Sequence, residues 1–358
     1  MLDVPIAYGS CYSRALHDTG IREAIRRGEI RIHPAPLDEQ FQPSSLDVRV
    51  GRVVVFDQQA QRKYVKTPLE LTDRFGKNYP DRKNLPILIP SNCMARIYLH
   101  ERITLDQHET SVDLRSGRGR IFLKLNSRFL YWNESVLCDP SVEPHVDVWN
   151  LNSSPIQLYG HDRFAQIFFH PTTTKGNGAI VNDQAKAGEL ALQIGNPETI
   201  GPYVLFRAGD HVFKPNANGV IDTRIQREDD CEQVSLEKTV VLNFGDCAIV
   251  QLHPKIQIPN NLGIHILHRL PPEQESFSTK PNSSFLSFEP NRCNAGWVDP
   301  GYIGNVTAHI WANRCGMSIK KGDPVALGLF VLYDTPVERK YGSTTILSTH
   351  QHSKGTPR

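Results

Sequence analysis

The segment Leu114-Arg115-Ser116-Gly117-Arg118-Gly119-Arg120 places three guanidinium groups and a hydroxyl around two glycines. Glycine lets neighbouring backbone N–H groups converge on an anion, arginine adds forked donors, and serine adds one more hydrogen bond, so the segment suits a phosphate chain. The same residues also make an ordinary solvated basic turn. In the second half of the chain, Ala295-Gly296-Trp297-Val298-Asp299-Pro300-Gly301-Tyr302-Ile303-Gly304 reads as a β-turn that projects one carboxylate, Asp299, and one aromatic ring, Tyr302. Asp-Pro-Gly is common turn chemistry, and on that ground alone Asp299 is a turn former and Tyr302 a packed aromatic. The spacing adds information, because Ser283, within Lys280-Pro281-Asn282-Ser283-Ser284-Phe285-Leu286, lies sixteen residues before Asp299.

Thiol and zinc chemistry find little support. The seven cysteines, Cys11, Cys93, Cys138, Cys231, Cys247, Cys293 and Cys315, are odd in number and contain no C-x-x-C pair, which argues against a disulfide framework and a structural zinc site. Cys293 lies close to Ala295 and Asp299, but no adjacent histidine with an orienting carboxylate accompanies it, so it reads as a small core residue. His33, His100, His145, His161 and His170 are scattered without ligand spacing and read as structural. A zinc ion that activates water is commonly held by a histidine or cysteine near a glutamate and a paired P-C-x-x-C, and neither H-x-E nor P-C-x-x-C occurs. No metal ligands are therefore expected.

A chain of 358 residues is longer than one core usually fills, and two units of about 170 residues fit its length. With 39% apolar and 22% charged residues and no apolar stretch near the roughly 18 residues of a membrane span, a membrane protein is not expected. A net charge of +2 implies no large basic face, which disfavours nucleic acid as a partner. Met1 to Ser10 lacks a cationic segment followed by an apolar run, so the cytoplasm is the expected compartment. Near the start, Thr19 is placed to cap a short helix with Ile21, Ala24 and Ile25 on one face and Gly28 at its left-handed end. Beyond it the pattern turns to β: Leu46, Val48 and Val50 alternate with polar residues, and Arg52–Phe56, Ile87–Ile89, Met94–Leu99 and Phe164–Phe169 are short apolar runs between turn formers. The 25 prolines and 25 glycines fit many short strands better than a parallel sheet with crossover helices. Asn152, Asp162, Ala165 and Phe169 recur at one constant offset as Asn313, Asp323, Ala326 and Phe330, and Ile87 to Leu105 is similar to Val241 to Ile258. A duplicated β domain is the expectation, Met1 to Pro171 and Thr172 to Arg358, with Thr172 to Gly195 as the connection and a short helix around Asp183 to Leu192.

Gly20-Ile21-Arg22-Glu23-Ala24-Ile25 to Gly28, followed by Gln42-Pro43-Ser44-Ser45-Leu46-Asp47-Val48-Arg49-Val50-Gly51, resembles the amino-terminal signature of the dCTP deaminase family. Arg115 to Arg120 resembles that family's R-S-S-x-x-R element, with Gly117 in place of the second serine as in the dUTPases. Ala295 to Gly304 resembles the A-G-x-I-D-x-x-Y-x-G element shared by both enzymes, and Arg339-Lys340-Tyr341-Gly342-Ser343-Thr344 is similar to the tail that closes over bound nucleotide. The two-copy layout, with Gly219-Val220-Ile221-Asp222 opening the second half, looks like the long bacterial form. The resemblance implies a mainly β fold of two tandem dUTPase-like distorted jelly-roll (β-clip) domains with few short helices.

It also implies hydrolytic deamination of dCTP to dUTP by a water that a carboxylate activates without zinc, with Mg²⁺ accompanying the triphosphate. By ungapped comparison the catalytic carboxylate falls on Asp147, one methylene shorter than the family's glutamate, while Ser116 and Arg120 order the water and the pyrimidine. Arg115, Gly117, Ala295, Asp299, Tyr302, Lys340 and Tyr341 fall at nucleotide-binding positions. In the second copy the position of Asp147 is taken by Ala308 or His309, and Asn282 and Leu286 or Ser287 replace the motif arginines. The two copies thus keep complementary parts, consistent with one composite site. The expected partners are dCTP and dUTP, with dTTP as a candidate inhibitor, and a homo-oligomer of the chain. Alternatives are a dUTP diphosphatase, in which Asp299 positions water at the α-phosphate, Tyr302 stacks on deoxyribose and Mg²⁺ bridges the phosphates; a bifunctional deaminase and diphosphatase; and a non-catalytic nucleotide-binding regulator. The tail at Lys340 to Gly342 lacks the Gly-rich ending of dUTPases and leans to the deaminase.

Overall fold

Apolar residues at period two demand a sheet with one face on a core, and two such sheets form, each built mainly from six antiparallel strands. The computed structural model describes residues 15–56, 76–106, 108–115, 122–125, 143–171, 178–181, 183–192, 197–200, 203–216, 219–225, 231–243, 245–268, 292–294, 296–312 and 316–343. Helix α1 (Asp18–Arg26) precedes the first sheet, whose principal strands are β1 (Leu46–Phe56), β2 (Met94–Leu99), β3 (His108–Leu114), β4 (Leu123–Leu125), β5 (His145–Asn150) and β6 (Arg163–Pro171). They lie in the order β3-β6-β1-β2-β5-β4. Helix α2 (Gln184–Leu192) leads to a second sheet with β7 (Tyr203–Pro215), β8 (Cys247–His253), β9 (Leu262–His268), β10 (Arg292–Asn294), β11 (Gly296–Val298), β12 (Thr307–Trp311) and β13 (Pro324–Tyr333). Read from β9, its order is β9-β13-β7-β8-β12-β10, with β11 outside β9. The two sheets therefore follow one plan, with Ala165 and Phe169 in β6 and Ala326 and Phe330 in β13 at matching places.

The long central strand of each sheet changes partner through a register shift. β1 pairs with β6 through Leu46 to Arg49 and with β2 beyond, the shift lying between Val50 and Val53. β7 pairs with β13 and then with β8, with shifts between Phe206 and Arg207 and between Ala208 and Val212. Gly51 sits at the first of these bends, where a Cβ would lie 2.8 Å from the Tyr98 carbonyl oxygen, so only glycine permits the approach. Such bends curl a sheet and hide its edges, and the edge strands β3 and β4 approach one another.

Two details of the chain differ from the sequence expectation. The N-cap of α1 is His17, whose Nδ1 accepts from the Gly20 amide at 3.4 Å, and Thr19 lies inside the first turn with its hydroxyl 2.8 Å from that same ring nitrogen. A histidine replaces the expected threonine because its ring reaches over the turn while Nε2 contacts Thr335 at 3.0 Å. Gly219 to Asp222 does not open the second sheet. β7 precedes it, and Ile221–Asp222 runs parallel to Ile156–Tyr159 of the first half, with Ile221 buried in the first core. Gly28 has φ +78° as expected after α1. Between the sheets, Gly178–Ile180 pairs with the end of β13, and Ala187, Ala191 and Leu192 of α2 enter the second core. Among the described residues no helix is long and apolar enough to cross a membrane.

Candidate functional site

The two halves meet through two apolar clusters and a set of polar contacts. Phe168 of β6 packs edge-on against Trp297 of β11, with ring centroids 6.0 Å apart, and Val331 and Tyr333 of β13 complete this cluster. A second cluster joins Phe122 to Phe213, Cys247 and Ile249. Beside Trp297 the chain brings together acids, arginines and hydroxyls that lie far apart in sequence.

Asp299 lies on the turn after β11, and its Oδ1 accepts from the Ser44 hydroxyl at 2.5 Å and the Trp297 indole at 3.2 Å. Ser44 belongs to the amino-terminal signature, so a residue of the first half caps a carboxylate of the second. Burial, opposed by the Ser44 bond and reinforced by the nearby Asp47 charge, pushes the Asp299 carboxyl up to about 6. Asp47, also in the signature, is buried and holds the Nε of Arg115 at 2.9 Å and a terminal nitrogen of Arg163 at 3.5 Å. Arg115 is thus positioned by Asp47, the same acid whose charge reaches Asp299. On β3, two residues before Arg115, Asp113 is also pushed up to about 6 by burial, and its Oδ2 fills the space that a Cβ on Gly296 would take. Gly296 has φ +67°, so close approach and backbone conformation both select glycine there.

Around the same turn the second half assembles Tyr302, Lys340 and Tyr341. The Tyr302 hydroxyl donates to the Asn305 carbonyl at 2.8 Å, and its ring lies 5.6 Å from that of Tyr341. The Tyr341 amide donates to the Pro300 carbonyl at 3.0 Å, and the Lys340 side chain lies against Gly301. The tail is anchored on the first half: Arg339 pairs with Asp38, and the Glu338 and Arg339 amides donate to the Asp18 carboxylate at 3.3 and 2.8 Å. Burial raises the pKa of Asp18, but the hydrogen bonds from His17, Arg339, Thr19 and Glu338 outweigh it and leave the carboxyl below its ordinary value.

Asp147 stands apart from this group. It lies opposite Arg96 in the β2–β5 pairing, and its two oxygens accept from the guanidinium at 2.9 and 3.1 Å. Trp149 faces Met94 in that ladder and Trp311 faces Cys247 in the β8–β12 ladder, so His309, opposite Ile249, holds the place of Asp147 in the second half. Ser116, Gly117, Arg120 and Ala295 lie outside the described residues, as do Asn282, Ser283, Leu286 and Ser287. Sequence reasoning assigned no role to Ser44, Asp47 or Arg96. The signature Gln42 to Gly51 contained the first two, but their partners lie at positions 299 and 115, beyond any local pattern.

The raised carboxyl makes stability depend on pH. An unfolded aspartate titrates near 3.8 and the folded Asp299 near 6, so the folded state binds the proton more tightly. The stabilisation this gives is complete below about pH 4 and is lost as the pH rises through about 6. Asp299→Asn keeps an oxygen for Ser44 and Trp297 and removes the buried charge. We expect it to raise unfolding stability at pH 8 by up to about 3 kcal/mol, and to leave it nearly unchanged at pH 4, in urea melts at the two pH values. His265 works in the opposite sense, because burial pushes its imidazole down to about 3, so its contribution is lost as the pH falls.

Comparison with known proteins gives these residues a context. Residues 15–172 match the family model for dCTP deaminase-like domains. A "dCTP deaminase, dUMP-forming" of Methanosphaera stadtmanae is 26% identical over 187 residues, covering 50% of this chain and 91% of that protein. One of Methanobrevibacter smithii is 26% identical over 166 residues, covering 44% of this chain and 81% of its own length. The crystal structure of 2′-deoxycytidine 5′-triphosphate deaminase from Agrobacterium tumefaciens superposes with a TM-score of 0.69 at 16% identity, covering 93% of this chain and 99% of that one, which shows a common fold. Residues 15–172 thus form a dCTP deaminase-like domain, and nearly the whole chain shares the fold of a solved dCTP deaminase.

Proposed function

We propose that the protein deaminates dCTP hydrolytically at a composite site, the first half supplying the reacting groups and the second half the turn and tail that hold nucleotide. Water adds at C4 of the cytosine and ammonia leaves, giving dUTP. Asp147 takes the proton from the water, and Ser116 and Arg120 orient water and base, while Arg115 binds phosphate from a position fixed by Asp47. The triphosphate enters as its Mg²⁺ complex. Tyr302, Tyr341 and Lys340 surround the sugar and phosphates, with Ala295 and Gly117 allowing close approach. The division between Pro171 and Thr172, and the assembly of several chains, belong to the same reading. The observation that carries it is the family domain at residues 15–172, which contains the whole Arg115 to Arg120 element and Asp147.

A second reading, deamination followed by hydrolysis of dUTP to dUMP and pyrophosphate, is favoured by the dUMP-forming activity in the names of these two relatives. The hydrogen bonds that Asp299 accepts from Ser44 and Trp297 weigh against a free carboxylate there for the second step. Purified protein incubated with dCTP and Mg²⁺ is expected to release ammonia and dUTP in equal amounts, resolved by anion-exchange chromatography. Ammonia with dUMP establishes the second reading, and nucleotide binding without ammonia overturns both in favour of a regulator.

A further inference from the structure

Three turns of the first half converge on one carboxylate. Asp81 follows the strand Gly76–Tyr79, His100 follows β2, and His161 lies between Ile156–Tyr159 and β6. Asp81 Oδ2 is 3.0 Å from Nδ1 of His100, and Oδ1 is 2.7 Å from Nε2 of His161. The two imidazoles face each other with centroids 3.9 Å apart and planes 38° from parallel. One ligand atom from each residue falls within a set whose members all lie within 4.8 Å of one another.

The backbone holds these groups in place. His161 has φ +66°, a left-handed conformation that most side chains avoid, and its amide donates to the Val50 carbonyl at 2.7 Å. A turn alone would be served better by glycine or asparagine. The histidine at this turn brings its ring onto Asp81. The turn before it presses on the Asp81–Arg82 segment so closely that a Cβ on Gly160 would lie 2.0 Å from the Arg82 carbonyl oxygen. His100 is anchored by its amide on the Arg49 carbonyl at 3.0 Å. The side chains are 40% exposed for Asp81, 19% for His100 and 21% for His161, so an ion from solvent reaches them without unfolding.

We propose that Asp81, His100 and His161 form a binding site for a borderline first-row divalent cation, best represented by Zn²⁺, separate from the nucleotide site. Two imidazoles and one carboxylate are the ligands such ions take, leaving a fourth tetrahedral position for water. Zn–N and Zn–O bonds of about 2.0–2.2 Å put ligand atoms roughly 3.3 Å apart, so the present contacts open by about half an ångström through side-chain rotation. Each imidazole then gives its lone pair to the metal in place of its hydrogen bond with Asp81, and any proton on that nitrogen is released.

The test titrates chelator-stripped full-length protein with Zn²⁺ by calorimetry and with Co²⁺ by absorption. One ion per chain is expected, with cobalt d–d bands and no thiolate-to-cobalt charge transfer, which separates this site from the cysteines. Asp81→Asn, His100→Gln and His161→Asn should each weaken binding by more than about a hundredfold, beyond the roughly 10- to 100-fold that loss of an indirect support costs. Asparagine tolerates the left-handed turn at 161, so this variant is expected to fold, and its melting without metal checks that. Unchanged stoichiometry and affinity in the three folded variants, a thiolate band, or no saturable binding by the wild type overturns the proposal.

Discussion

Asp147→Asn is expected to lower dCTP turnover by about 100- to 10,000-fold, the range contributed by a positioned proton acceptor. The substitution preserves size and one acceptor oxygen for Arg96 but removes the basic carboxylate. One of the two contacts, at 2.9 and 3.1 Å, turns into a donor facing a donor, so the pair loosens without vacating the site. Since Arg96 and Asp147 are partly exposed, the loss of their ion pair alone costs about 1 kcal/mol or less of stability. The effect should therefore fall on kcat, with dCTP binding and melting nearly unchanged. Asp147→Glu is the informative companion. It restores the family's longer side chain, and where the missing methylene misplaces the base by about 1 Å, the expected gain approaches a hundredfold. Single-turnover ammonia release, with nucleotide affinity measured separately, reads both outcomes. Full activity of Asp147→Asn would remove Asp147 from the mechanism.

The fold was legible because its signal is local. Leu46, Val48 and Val50 alternate in sequence and lie in β1 with all three in the first core. The run Phe164 to Phe169 is apolar without alternation, and the structure explains why: Phe164, Ile167 and Phe169 enter the first core while Phe168 leaves it for the seam. A strand covered on both faces cannot show period two. The pairing of the halves is thus written in that run, although only the structure shows what covers the second face.

The candidate site was legible in a different way. Arg115, Asp299, Tyr302 and Tyr341 came from motif types, and the residues that fix them did not, because Ser44 and Asp299 are 255 positions apart. Spacing reports a contact only where both partners share a turn, a helix face or a strand. For the same reason the scattered histidines gave no ligand pattern, whereas His100 and His161 meet at Asp81 once the turns are folded. The cap of α1 failed for a smaller reason, in that both His17 and Thr19 carry acceptors near the helix start, and the tertiary contact of His17 with Thr335 decides between them.

Phe168→Ala should produce the largest loss of stability among seam substitutions, about 3–5 kcal/mol. The ring is fully buried, and its removal strips the packing from one edge of Trp297 and from Val331 and Tyr333, none of which the first core replaces. β6 is paired with β3 at Phe168 and with β1 up to Ile167, which holds its backbone against shifting to fill the space. The damage should also spread to the polar part of the seam. Trp297 donates to Asp299, and looser packing admits water to a carboxyl whose elevated pKa comes first from burial. The pKa then falls from about 6 towards the ordinary aspartate value, and the benefit of Asp299→Asn at pH 8 shrinks. A double-mutant cycle in urea measures this directly: the two substitutions should couple by about 1 kcal/mol or more. Strict additivity would mean that Phe168 and Asp299 belong to independent parts of the contact, and that water reaches the acid in the native protein without help from the mutation.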